Sequence, residues 1–141
     1  MMNDSLVFID ANALIYALDK TSTQNEEVVI LIQQFLDRGI TLCTSHHVIE
    51  EVLHIARKIG ETSASLVIKE VSKIPDLVLI EPDAVLEFAE NYAELVDKLR
   101  MGVNDALLLQ LMLDVGITRL LSYDKPFVSR AAELGIQQAV R

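Results

Sequence analysis

One cysteine, three histidines, and twelve basic side chains against twenty-one acidic ones put several kinds of protein out of reach. Cys43 has no second cysteine to pair with, which rules out a disulfide-stapled scaffold. Set in an apolar segment, it reads as a buried thiol suited to a reducing cytoplasm. The longest apolar stretch, Ala106 to Leu113 with Gln110 inside it, is far short of the roughly 20 residues of a membrane helix. The amino-terminal Met-Met-Asn-Asp carries an acid where a secretory leader carries bases, so a cytoplasmic chain with no membrane segment is expected. Among the five glycines there is no Walker-type phosphate loop, which argues against nucleotide hydrolysis. A net charge of −9 argues against a protein that grips nucleic acid by charge over its whole surface. Bound cations would soften that objection, since two divalent ions add about +4.

What is present is apolar and periodic. With 51% hydrophobic residues in 141, the chain is expected to form a single folded domain over residues 1–141. Short apolar runs alternate with helical patterns, as in repeated βαβ units with a parallel sheet. Strands are expected at Leu6–Ile9, Thr41–Cys43, Leu77–Ile80 and Arg119–Ser122, with a weaker fifth near Ile136–Val140. Helices are expected over Ala13–Leu18, Asn25–Arg38, His46–Ile59, Ser63–Lys73, Ala84–Leu99, Asn104–Val115 and Pro126–Glu133. Gly39, Gly60, Gly116 and Gly135 each follow a helical pattern, as C-terminal glycines do. Asp83, Glu87, Glu90, Glu94 and Asp97 recur at helical spacing and read as a solvated acidic face.

Four other acids sit where a fold seldom wants them. Asp10 closes the run Leu6-Val7-Phe8-Ile9, and Asp124 follows Leu120-Leu121. In an α/β protein, residues just past the carboxyl ends of strands face the ligand crevice. The helix from His46 to Ile59 separates two adjacent acids. Val48, Ile49, Val52, Leu53, Ile55, Ala56 and Ile59 define its buried face; at 100° per residue Glu51 falls at the margin and Glu50 points away. Asp105 opens a helix that is apolar nearly all round and projects between Leu109 and Met112, where a carboxylate needs a partner. Acids gathered in one crevice repel unless a cation lies between them, and Mg²⁺ or Mn²⁺ is the hard ion that suits oxygen ligands.

Each acid also has a plainer reading. Asp105 or Asn104 can cap its helix, Asn12 can cap a strand-to-helix turn after Asp10, and Asp124 can cap a helix whose first turn holds Pro126. Basic residues gather near the same segments, at Arg57 and Lys58, Lys98 and Arg100, and Lys125 and Arg130. That rim is compatible with a phosphate-bearing substrate. His47, Glu51 and His54 suggest a histidine metal site, since Glu51-Val-Leu-His54 matches E-x-x-H. A di-iron bundle needs a second copy, however, and all three histidines lie in this one segment. A zincin needs H-E-x-x-H, which is absent.

With those residues in view, the chain resembles the PIN domain and, within it, the VapC-like toxin ribonucleases. The resemblance runs over almost the whole length. Val7-Phe8-Ile9-Asp10-Ala11-Asn12 resembles the family's opening strand and first acid. Thr44 to Leu53 resembles its second motif, with the acid at Glu51. Asn104-Asp105-Ala106 resembles the third motif. Leu121-Ser122-Tyr123-Asp124-Lys125-Pro126-Phe127 resembles the fourth, where threonine is commoner than Ser122. The resemblance implies an α/β fold with a parallel sheet in order 3-2-1-4-5, helices on both faces, and Mg²⁺- or Mn²⁺-dependent cleavage of RNA. Asp10, Glu51, Asp105 and Asp124 would then be the catalytic metal ligands. Asn12 and Ser122 would orient the carboxylates or hydrogen-bond the substrate. Expected partners are an RNA substrate, a small antitoxin protein and a second copy of the chain.

Other functions are weighed against this one. A haloacid-dehalogenase-type phosphatase needs a second acid two residues after the first, where this chain has Asn12. A receiver-like domain pairs acids directly after its first strand, where this chain has Ala11, and Glu81 is a poor phosphoacceptor. A free-standing PIN nuclease of RNA processing and a catalytically silent PIN scaffold remain alternatives to the toxin. The silent scaffold is the weaker of these, because no acid of the set is missing.

Overall fold

Val7, Phe8 and Ile9 have no exposed surface, and the strand they form is the axis of the molecule. A computed structural model of the chain describes residues 4–59 and 63–139. In chain order the elements are β1 (Leu6–Ile9), α1 (Ala11–Leu18), α2 (Asn25–Asp37), β2 (Thr41–Ser45), α3 (His46–Ile59) and α4 (Ala64–Val71). They continue with β3 (Val78–Ile80), α5 (Val85–Leu99), α6 (Val103–Val115), β4 (Arg119–Leu121), α7 (Lys125–Glu133) and β5 (Gln137–Gln138). The strands form one sheet in the order β3-β2-β1-β4-β5, and all four pairings are parallel. Helices cover both faces, with α1 packed on α2, α3 and α4, and α5 packed on α6. This is the α/β architecture expected above.

The register places the site. Phe8 pairs with Leu120 and Ile9 with Leu121, while Val7 pairs with Leu42 and Phe8 with Cys43. The chain leaves β1 for β2 on one side and reaches β4 on the other, so a crevice opens at the carboxyl ends of these three strands. Buried on both faces, β1 reads as an unbroken apolar run, as central parallel strands do, whereas β2 also buries the hydroxyls of Thr44 and Ser45.

Element boundaries shift where a side chain or a pairing overrides local pattern. β2 runs two residues past the expected Cys43, because Thr44 and Ser45 pair with Leu79 and Ile80. Ser63 is the cap of α4 rather than its first residue, its side chain accepting from Leu66 N–H at 3.2 Å. α1 begins at Ala11, directly after Asp10. β5 is only Gln137–Gln138; of the expected fifth strand, Val140 lies outside the described residues, as does Gly60. α6 is less buried than its composition predicts, since Val103 and Leu113 are exposed. Its narrow polar strip is as expected, with Gln110 Nε2 donating to Asp114 at 2.8 Å. The acidic face of α5 (Glu87, Glu90, Glu94 and Asp97) is solvated. No helix among the described residues is long and apolar enough to cross a membrane.

Candidate functional site

Asp10 is buried just past the carboxyl end of β1. Its backbone N–H donates to Leu121 O at 3.0 Å, which prolongs the β1–β4 pairing one step past the strands. Its side chain is the N-cap of α1: one carboxylate oxygen accepts from Ala11 N–H at 2.8 Å, and the other accepts from Ser122 Oγ, also at 2.8 Å. Burial raises the Asp10 pKa most; the Ala11 and Ser122 donors pull it back, and the Asp124 charge pushes it up again. The cap at this turn is therefore Asp10 itself and not Asn12. Asn12 reaches across instead and accepts from Tyr123 N–H at 3.0 Å, tying the first turn of α1 to the segment that carries Asp124.

Asp124 caps α7, accepting from Phe127 N–H at 3.2 Å, with Pro126 in the first turn. Between the two aspartates stands Ser122, fully buried. Its hydroxyl donates to Asp10 and accepts from Asp124 N–H at 3.1 Å. One hydroxyl, having one proton and spare lone pairs, thus sets the spacing between the two acid-bearing turns.

Glu51 and Asp105 come in from the helices. Glu51 lies on the exposed edge of α3, which begins where Ser45 Oγ accepts from Val48 N–H. Its carboxylate pKa is raised, first by lost hydration, then by the charge of Asp10, with His47 opposing and Asp105 and Asp124 adding to the rise. Glu50, its neighbour, turns to solvent and pairs with His46 at 3.2 Å, as the helical angle predicts. Asp105 sits within the first turn of α6, whose N-cap is Gly102, so neither Asp105 nor Asn104 is the cap. The Asp105 pKa is raised by lost hydration and then by the charges of Asp124 and Asp10, with Arg130 opposing. Of the basic residues near the site segments, Arg130 bears on Asp105. His54 is exposed on the outer side of α3.

The Asp124 charge thus acts on Asp10, Glu51 and Asp105, and those of Asp10 and Asp105 act on Glu51, from four separate elements. Among the described residues no three His, Cys, Asp or Glu side chains are grouped closely enough to hold a metal ion as they stand. The donor set nevertheless suits a hard cation. It is all oxygen, and among the described residues the carboxylates of Glu51 and Asp105 make no hydrogen bond. Two groups escaped the reading of the sequence. Thr44 Oγ1 donates to Ile9 O at 2.8 Å and locks the ends of β1 and β2 together. Gln138 holds the Ser122 backbone. Neither lies on a periodic pattern that could have singled it out.

The PIN domain family model matches residues 7–133. The chain belongs to the PIN domain family. Solved structures with the same fold include VapC20 of Mycobacterium tuberculosis, described as a sarcin–ricin loop cleaving toxin. It has a TM-score of 0.68 and 16% identity over 87% of this chain and 93% of that one. VapBC-1 of nontypeable Haemophilus influenzae has a TM-score of 0.63 and 16% identity over 94% and 96%. VapBC2 of Rickettsia felis, bound to a DNA fragment from its promoter, has a TM-score of 0.65 and 13% identity over the same shares, 94% and 96%. At such identities the likeness establishes the PIN fold. No curated protein sequence gives a significant match.

Proposed function

We propose that this PIN domain is a divalent-metal-dependent endoribonuclease and the toxin of a toxin–antitoxin pair. The observation that carries the reading is the meeting of Asp10, Glu51, Asp105 and Asp124, from four elements, at the open carboxyl end of the parallel sheet. Crowded carboxylates with raised pKa values hold electrostatic energy that a cation releases.

In this reading the four acids hold one or two Mg²⁺ or Mn²⁺ ions. Such ions would supply an acidified water for in-line attack on a phosphodiester and neutralise the departing oxygen. The remaining work belongs to the chain. Ser122 and the Ala11 N–H orient Asp10, and the Phe127 N–H orients Asp124. Asn12 keeps the two turns in register. Arg130, which pairs with Glu133 at 3.6 Å and whose charge acts on Asp105, would meet substrate phosphate. RNA is favoured as substrate by the VapC20 likeness.

The VapBC neighbours favour a small antitoxin partner, which would quiet the site by laying an Arg or Lys side chain among the acids in place of a cation. Exposed apolar residues such as Val85 and Leu86, 69% and 80% accessible at the start of α5, favour a homodimer.

The test is RNA cleavage by the purified chain with Mn²⁺, with EDTA, and with Asp10→Asn. Cleavage that needs the metal and Asp10 supports the reading. Mn²⁺ binding without cleavage would point to a silent scaffold, and cleavage that survives EDTA would overturn the metal assignment.

A further inference from the structure

β5 is short, and among the described residues its backbone pairing with β4 reaches as far as Leu120. Gln137 N–H donates to Thr118 O at 2.8 Å and Ala139 N–H to Leu120 O at 2.7 Å. The next residue along β4 that needs partners on this side is Ser122, whose backbone lies past the end of the strand. Its partners come from a side chain. Ser122 N–H donates to Gln138 Oε1 at 3.3 Å, and Gln138 Nε2 donates back to Ser122 O. A primary amide carries a donor and an acceptor in one plane, as a peptide group does. Glutamine is the residue that extends a sheet by one peptide without extending the strand.

We propose that Gln138 is a positioning residue for the acid centre. Its amide fixes the Ser122 backbone, and through the Ser122 hydroxyl it holds the Asp10 carboxylate and the start of the Asp124 turn. The chain of contacts is continuous: Gln138 to the Ser122 backbone, and Ser122 Oγ to both Asp10 and Asp124 N–H. This inference rests on the reading of Asp10 and Asp124 as cation ligands. Gln138 lies beyond residues 7–133, so the device sits outside the segment that matches the family. Ser122 alone cannot be a rigid support, because it follows the last paired residue of β4. The backbone on either side is tied by Asp10 N–H to Leu121 O and by Tyr123 N–H to Asn12, and the Gln138 amide adds the bonds to Ser122's own N–H and C=O.

The test compares Gln138→Met, which keeps side-chain bulk and loses both hydrogen bonds, and Gln138→Glu, which keeps shape but turns an oxygen toward the Ser122 carbonyl. The control is Gln137→Ala, at an exposed neighbour on the same strand. In metal-free protein, amide hydrogen exchange at Ser122 should accelerate in both Gln138 variants and not in the control. By calorimetry, both should bind Mn²⁺ about tenfold more weakly than wild type, at the lower end for residues that orient ligands. Their kcat should fall by a similar factor with the KM for RNA little changed. A merely structural glutamine predicts otherwise: Gln138→Met would behave like wild type, or lose equal thermal stability with EDTA and with Mn²⁺ while keeping its Mn²⁺ affinity. Unchanged Ser122 exchange overturns the inference whatever the metal does. A wild type that binds Mn²⁺ no better than the Gln138 variants also overturns it. If the wild type binds no Mn²⁺ at all, the metal reading fails, and this inference with it; that case is recognised because Asp10→Asn then changes nothing either.

Discussion

At the scale of single residues, the acids differ in what the protein already does with them. Asp10 and Asp124 have structural work as caps, whereas Glu51 and Asp105 have none among the described residues. Asp105 is therefore the sharpest place to separate charge from architecture. Replacing it with Asn removes repulsion from Asp124 and Asp10 and no hydrogen bond. Without metal, stability should stay level or rise by no more than about 1 kcal/mol, because the group is half exposed and solvent screens it. Wild type should gain about 2.7 kcal/mol at a hundredfold excess of Mn²⁺ over Kd, and the variant should lose most of that gain along with cleavage. Melting curves of both proteins in EDTA and in Mn²⁺ decide the matter; a variant that still melts higher with Mn²⁺ and still cuts RNA removes Asp105 from the site. Cys43 gives a second prediction. Burial pushes its thiol up to about 12, and its Sγ rests 3.5 Å from Val7 O. A thiol-specific disulfide reagent at pH 8 should leave the native protein untouched and react once denaturant is added. Rapid native labelling would mean that β2 opens.

At the scale of elements, the start of α7 joins folding to chemistry, because Asp124 caps the helix that begins at the crevice. Asn caps about as well as Asp, and Ala does not. Asp124→Ala should cost about 1 kcal/mol of stability in EDTA, and Asp124→Asn close to nothing. Both should lose Mn²⁺ stabilisation and RNA cleavage. Urea denaturation with and without Mn²⁺ reads the two effects apart. Activity kept in Asp124→Asn would leave the residue as a cap alone.

At the scale of the whole molecule, the raised pKa values of Asp10, Glu51 and Asp105 set the pH response of the metal-free protein. Well above the raised values these acids are ionised in both native and unfolded chains, and the native state carries the full penalty. As pH falls through the raised values, the native protein takes up protons before the unfolded chain does, so this contribution to stability increases. It levels off below the ordinary carboxylate value of about 4, where both states are protonated. In EDTA, wild type should lose less stability on acidification from neutral pH toward about 4 than a variant carrying Asp10→Asn, Glu51→Gln and Asp105→Asn, or should gain where the variant does not. Parallel pH profiles for the two would show that the cluster is not strained. Assembly is the other molecular property open to direct test. Leu86→Glu, at the most exposed apolar residue on α5, should shift a dimer toward monomer in light scattering at micromolar concentration. A wild type that is strictly monomeric there counts against the dimer.

The periodicities alone were enough for the order and kind of the elements, because apolar spacing depends on which face of a helix or strand must be buried, and that is a local matter. The same logic chose Glu51 over Glu50, since an angle of about 100° per residue holds whatever packs nearby. It placed Cys43 inside and the acidic face of α5 outside. Tertiary structure decided what depends on residues far apart in the chain. Asp10 and Ser122 are 112 positions apart, and Asn12 and Tyr123 are 111 apart; no local pattern encodes either contact. Asn12 reads as a cap from its neighbours alone, yet it is drawn off to the Tyr123 N–H because β1 and β4 lie side by side. The sequence motif could name four acids, and only the parallel sheet, with β1 flanked by β2 and β4, could bring their charges to bear on one crevice. Gln138 is the limiting case: an ordinary polar residue to local pattern, whose amide meets the Ser122 backbone 16 positions away only because β4 and β5 pair.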